Sequence, residues 1–170
     1  ISSGRHSCLP HHQGTSPIKE CQSIIIDIFP KDTSSGYFGD MTRTVVKGTP
    51  SKKLNDMYKA VLKGQRLGLS LIKSGVKSKT VHNSIKSLFD NSGFYTTYKE
   101  GTPEGFIHST GHGLGLDIHE PPRISSGDDI LKKNYVVTVE PGLYYSRIGG
   151  GRVEDTVLVT TDGCKNLTRF

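Results

Sequence analysis

The sequence predicts an α+β domain. Short segments rich in β-branched residues occur at 23–29, 37–46, 135–140 and 152–159, and two consecutive stretches of helical apolar spacing occur at 49–75 and 79–91. Twenty glycines and eight prolines mark many turns between them, while 33% hydrophobic and 22% charged residues suit one folded domain of 170 residues.

Residues 1–22, with Ser, Gly, Pro and three histidines, read mostly as loop after a short first strand. Ser23 to Phe29 (SIIIDIF) is a buried strand by its run of isoleucines, and it carries Asp27. An unpaired buried carboxylate is costly, so Asp27 needs a cation, strong donors or a surface position. Pro30 to Gly36 is a turn, and Tyr37 to Val46 is a second strand carrying Asp40. The two strands form a hairpin in which Asp27 and Asp40 can face each other, an arrangement that repels unless a cation lies between them.

Thr49 caps a first helix with Pro50 in its first turn; Leu54, Met57, Tyr58, Val61, Leu62, Leu69 and Ile72 form the inward stripe, and Gly75 ends it. A second helix from Lys79 to Asn91 turns Val81, Ile85, Leu88 and Phe89 inward and stops at Gly93; His82 falls off that stripe and receives no role. Phe94 to Tyr98 is a strand. Then comes HSTGHGLGLDIHEPP (His108 to Pro122), where three histidines among glycines exceed what packing requires, and where Gly111, Gly113 and Gly115 permit a tight, closely approached backbone. Tyr135 to Glu140 is a strand ending in an acid before Pro-Gly, and Gly149 to Gly151 lead into a last strand, Arg152 to Val159, carrying Glu154.

The bulk properties exclude several classes. Net charge is +6, yet the lysines are dispersed and lack interleaved aromatics, so they read as solvated surface and not as a nucleic-acid site. Cys8, Cys21 and Cys164 are odd in number and widely spaced, which indicates neither a disulfide framework nor a thiolate zinc site and fits a reducing, cytoplasmic setting. No apolar run is long enough to span a membrane. The start at Ile1 suggests a fragment or processed form.

Asp27, Asp40, His112, Glu140 and Glu154 together make a site of four carboxylates and one imidazole. Their charge requires cations, and two divalent ions balance it; an oxygen-rich shell suits manganese, cobalt, iron or zinc. Such a pair can hold a bridging hydroxide as nucleophile and stabilise an oxyanion.

These segments also resemble a known family. Asp27 with GYFGDMTRT (Gly36 to Thr44), HSTGHGLGLDIHEPP, EPGLY (Glu140 to Tyr144) and GRVEDTVLVT (Gly151 to Thr160), in this order, resemble the metallopeptidases of family M24. That family, of pita-bread fold, includes methionine aminopeptidase, prolidase and aminopeptidase P. The resemblance implies a curved antiparallel sheet with helices on its outer face and a catalytic domain over 1–170 that lacks its own start and any upstream domain. It implies that Asp27 and Asp40 bind one metal, that His112 and Glu140 bind the other, and that Asp40 and Glu154 bridge, with manganese as first choice. It also implies that Glu140 shuttles the proton, His119 stabilises the tetrahedral intermediate, His108 lines the substrate pocket and His11, with His12 as competitor, contacts substrate near the scissile bond. Arg152 and the Thr-Arg-Thr after Asp40 resemble the proline-specific branch, which implies hydrolysis of Xaa-Pro bonds and a peptide substrate with proline second, in a protein capable of homodimerising. Two features depart from the pattern: the Asp27 to Asp40 segment is about two residues longer than usual, and Ile28-Phe29-Pro30 replaces a glycine-containing turn. Neither removes a ligand; both bear on the pocket rim. The alternatives are a catalytically inactive relative that binds protein or RNA, a methionine aminopeptidase, and a creatinase-like C–N hydrolase.

Overall fold

A computed structural model describes residues 1–10, 12–15, 17–99 and 101–169. Strands β1 (Ser2–Ser3), β2 (Ser23–Ile28) and β3 (Met41–Val46) form one antiparallel sheet in that order, with a short 3-10 helix, Gly4–Cys8, after β1. Helices α1 (Lys52–Leu71) and α2 (Ser78–Asn91) follow, then a small hairpin of β4 (Thr97–Lys99) and β5 (Thr102–Glu104). The remaining strands are β6 (Gly111–Gly113), β7 (Glu120–Ile124), β8 (Val136–Val139), β9 (Gly142–Tyr145), β10 (Gly149–Arg152), β11 (Asp155–Val159) and β12 (Cys164–Asn166). They build a five-stranded sheet of order β12-β11-β8-β6-β7 and a β9-β10 ribbon, all antiparallel. The α+β class stands.

The core lies between the helices and these strands. Met57, Val61, Ile85 and Phe89 meet Val137, Val139, Leu143 and Val157 there, all fully buried. Helical spacing therefore identified the inward faces correctly, because burying those apolar stripes is what stabilises both helices.

Several boundaries differ from expectation. Ser51, not Thr49, caps α1: its hydroxyl accepts from the Leu54 amide at 3.2 Å, and Pro50 lies before the cap. The helix ends at Leu71, before Gly75. The second strand of the first hairpin begins at Met41, because Tyr37 to Asp40 bond elsewhere; the Phe38 amide donates to Gly115 O at 2.9 Å and that of Gly39 to Pro30 O. Asp27 consequently pairs with Thr42 across the ladder, and Asp40 lies outside it. The strand expected over 152–159 is broken at Val153-Glu154. There the chain leaves the β9-β10 ribbon, and the Glu154 amide bonds to Thr42 O at 3.0 Å before β11 begins. Of the strand expected over 94–98, only Thr97 and Tyr98 lie in β4, and β9 was not foreseen.

Candidate metal centre

Each predicted acidic ligand sits at an irregularity next to a strand or on one. Asp27 lies near the end of β2, Asp40 immediately before β3, Glu140 immediately after β8, and Glu154 in the break between β10 and β11. His112 is the middle residue of β6, where the pairing with β7 shifts register, and it is buried. Gly111 must be glycine, since a Cβ there would fall 2.0 Å from Thr138 O. This contact seats β6 tightly against β8 and aims the imidazole at the acids.

Ligand atoms of Asp40, His112 and Glu154 all lie within 4.8 Å of one another. His112 Nε2 is 3.7 Å from Asp40 Oδ2 and 3.3 Å from Glu140 Oε1. His112 Nδ1 is 3.0 Å from Gly113 O, which leaves Nε2 as the ring nitrogen that faces the acids. Asp27 joins through Thr42, whose Oγ1 is 2.8 Å from Asp27 Oδ1 and 2.7 Å from Glu154 Oε2. The other Asp27 oxygen accepts from Arg152 Nη2 at 2.6 Å.

Electrostatics reveal the strain of gathering these acids. Burial, then the negative charge of Asp27, pushes the Asp40 carboxyl up to about 7. Burial, with Glu140 and Asp40 beside it, drives Glu154 well above the carboxylate range. Burial also acts to raise Glu140, but the hydrogen bond from His112 and the nearby positive charges outweigh it and hold Glu140 low. His112 is raised: burial opposes its charge, yet the bond and charge of Glu140 prevail. A donor set of carboxylate oxygens and one imidazole nitrogen, over-supplied with negative charge, fits divalent cations of intermediate hardness.

The acids line a cleft of about 150 Å³ with Phe29, Ile118, His119 and Arg152. His119 is exposed at its mouth, with its ring 4.3 Å from that of His112 and edge-on to it. A neighbouring cleft shares Asp27, Phe29 and Arg152 and is lined by His12, whose ring stacks on His6 at 3.9 Å. His11 lies outside the described residues. His108 is half-buried, its Nε2 2.9 Å from the hydroxyl of fully buried Tyr144, which in turn accepts from Arg152 Nη1 at 3.3 Å.

Sequence reasoning gave no individual role to Thr42, Tyr144, Thr110 or His82. Thr42 carried a signal, lying two residues after Asp40 in the stretch expected as one strand over 37–46, where alternation puts both on one face. The other three depend on partners brought in by the fold.

Carboxylates and one imidazole around a cleft in an antiparallel α+β scaffold define a centre able to hold divalent metal. The profile of metallopeptidase family M24 matches residues 1–161, and the chain belongs to that family. It is 39% identical over 171 residues to an Xaa-Pro dipeptidase of Pyrococcus furiosus, an alignment covering 99% of this chain and 46% of the relative. A putative Xaa-Pro aminopeptidase of Mycoplasma genitalium is 37% identical over 94% of this chain and 43% of its own length. The chain thus spans about half the length of the curated relatives it matches. Among solved structures, prolidase from Pyrococcus furiosus superposes with a TM-score of 0.90 at 38% identity, over 100% of this chain and 48% of that one. Escherichia coli aminopeptidase P, as a Glu383Ala variant with substrate, superposes at 0.84 with 26% identity, over 98% and 42%. The fold is the pita-bread fold of these enzymes. No helix of the described residues is long and apolar enough to cross a membrane.

Proposed function

We propose that residues 1–170 act as one catalytic unit of a two-metal exopeptidase that hydrolyses Xaa-Pro bonds. The observation that carries this reading is the convergence of Asp40, His112 and Glu154 within 4.8 Å, with Glu140 at 3.3 Å from His112. Substrate class comes from relatives named Xaa-Pro dipeptidase and Xaa-Pro aminopeptidase. In this reading Asp27, Asp40, His112, Glu140 and Glu154 would together hold two cations; manganese is the first choice, with cobalt, zinc or iron as alternatives. When bound, such cations supply a water activated near neutral pH and polarise the scissile carbonyl.

The protein's own groups then divide the work. Glu140 accepts the proton of the attacking water on a carboxylate oxygen and returns it to the leaving amine. His119, exposed at the cleft mouth, donates to the oxyanion as the carbonyl becomes tetrahedral. His108 orients the substrate, and His11 or His12 touches it near the scissile bond. Arg152 has its guanidinium committed to Asp27, Thr42 and Tyr144, so it acts on the substrate from the wall of the cleft.

The test is Xaa-Pro dipeptide and tripeptide hydrolysis by chelated protein titrated with manganese, cobalt or zinc. Metal-dependent turnover is expected, and Glu140→Ala or Asp40→Ala should lower kcat by roughly 10³-fold with an unchanged far-UV spectrum. Turnover without any metal, or near-normal turnover in either variant, contradicts the proposal.

A further inference from the structure

Each helix sends one polar side chain through the apolar core toward a residue adjoining the acids. From α1, buried Gln65 donates through Nε2 to Asp155 Oδ2 at 2.5 Å, and Asp155 follows Glu154 directly. From α2, His82 Nδ1 lies 3.0 Å from Thr110 Oγ1. Thr110 is fully buried, two residues before His112, and its carbonyl accepts the Glu140 amide at 2.7 Å while its own amide donates to Ile124 O at 2.8 Å. One threonine therefore links the start of β6, which carries His112, to the turn that carries Glu140, and its hydroxyl is bonded to His82. The His82 ring is itself held 4.9 Å from Phe106, whose ring is 5.7 Å from His108.

We propose that His82 is a positioning residue: through Thr110 it sets the separation and orientation of His112 and Glu140, as Gln65 does through Asp155 for Glu154. Polar side chains behind metal ligands fix ligand geometry, and losing one typically costs about 10–100-fold in metal affinity. A hydrogen bond from the helical layer is suited to this task because α2 is anchored by buried Val81, Ile85 and Phe89. Only the metal-affinity consequence rests on the two-metal reading above.

Amide hydrogen exchange resolved by residue tests the tether without metal. In chelated protein, His82→Ala should raise exchange at the Glu140 amide by about tenfold or more while that of Glu154 is unchanged; Gln65→Ala should do the reverse. His82→Asn, whose amide occupies the place of Nδ1, should restore protection, and Thr110→Val should reproduce the loss from the other side of the bond, which keeps the test open if His82→Ala folds poorly. Calorimetric titration with manganese should then show one binding step weakened roughly 10–100-fold in His82→Ala and recovered in His82→Asn. Unchanged protection at Glu140, or equal loss at Glu140 and Glu154 in both variants, overturns the proposal. If the wild-type chain takes up no manganese, the two-metal reading fails, and the exchange data still decide the tether.

Discussion

Thr42 shows what one hydroxyl does in an over-charged site. It accepts from Arg152 Nε at 3.1 Å and has a single proton, yet carboxyl oxygens of Asp27 and Glu154 lie 2.8 and 2.7 Å away. Two acceptors compete for that one proton at those lengths, in the same place where burial and acidic neighbours push the Glu154 carboxyl up. Thr42→Val keeps the volume and removes the bridge, leaving buried oxygens short of partners. Urea unfolding of the chelated protein should show a loss of about 1–3 kcal/mol for Thr42→Val and little for Thr42→Ser; equal stability of both variants would refute the bridge. The five proposed ligands were legible in the sequence because each is an acid or histidine in a turn-rich or strand context where burial alone would be expensive. Thr42 was nearly legible through its alternation with Asp40. His82 was not, since nothing local marks a partner 28 positions away.

At the scale of elements, hydrophobic periodicity located both helices and the register of their buried faces, since those faces follow from local spacing. It could not decide between neighbouring hydroxyls for the α1 cap, where Ser51 takes the Leu54 amide, nor foresee that Glu154 would leave the ladder to bond Thr42 O. Those outcomes belong to tertiary fit. The same fit explains a glycine that helix propensity disfavours. A Cβ on Gly68 of α1 would lie 2.8 Å from Val139 Cγ1 and 3.1 Å from Ile85 Cδ1, so α1 packs directly on β8 beside the Glu140 turn. Alanine gains about 1 kcal/mol of propensity, but overpacking a core costs about 1–3 kcal/mol. Val139 is β-branched on a central strand and has little room to turn, so overpacking should win. Gly68→Ala is therefore expected to lower the unfolding free energy by up to about 2 kcal/mol, while Gly163→Ala, with nothing within 4 Å, should change little. A Gly68→Ala variant more stable than wild type would show that the helix can shift away from β8.

For the whole molecule, the site makes stability depend on pH in an unusual direction. Most carboxylates in folded proteins are lowered and add stability as pH rises. Here Asp40 is raised from 3.8 to about 7 by burial and by Asp27, Glu154 is raised well above its ordinary value by burial and its acidic neighbours, and His112 is raised too. A group raised in the folded state contributes stability that is fully present below its unfolded value and is lost as pH climbs through its folded value. Glu140, held low, contributes in the opposite sense, but that contribution is already complete above the ordinary carboxylate range. Without metal, the site therefore becomes progressively more destabilising between about pH 4 and 7 as Asp40 ionises beside its neighbours. Cations reverse this by replacing the protons. At a manganese concentration about 1,000 times its dissociation constant the folded state gains about 4 kcal/mol, which for a chain of this size raises the thermal midpoint by roughly 8–16 °C. Protons and cations compete for Asp40, Glu154 and His112, so the gain should shrink toward pH 5. Scanning calorimetry at pH 5, 6, 7 and 7.5, with chelator or with manganese, should show the chelated midpoint falling with pH and the manganese-induced shift growing. A chelated midpoint that rises across that range, or a manganese shift independent of pH, would mean that these acids are not the groups that bind the cations.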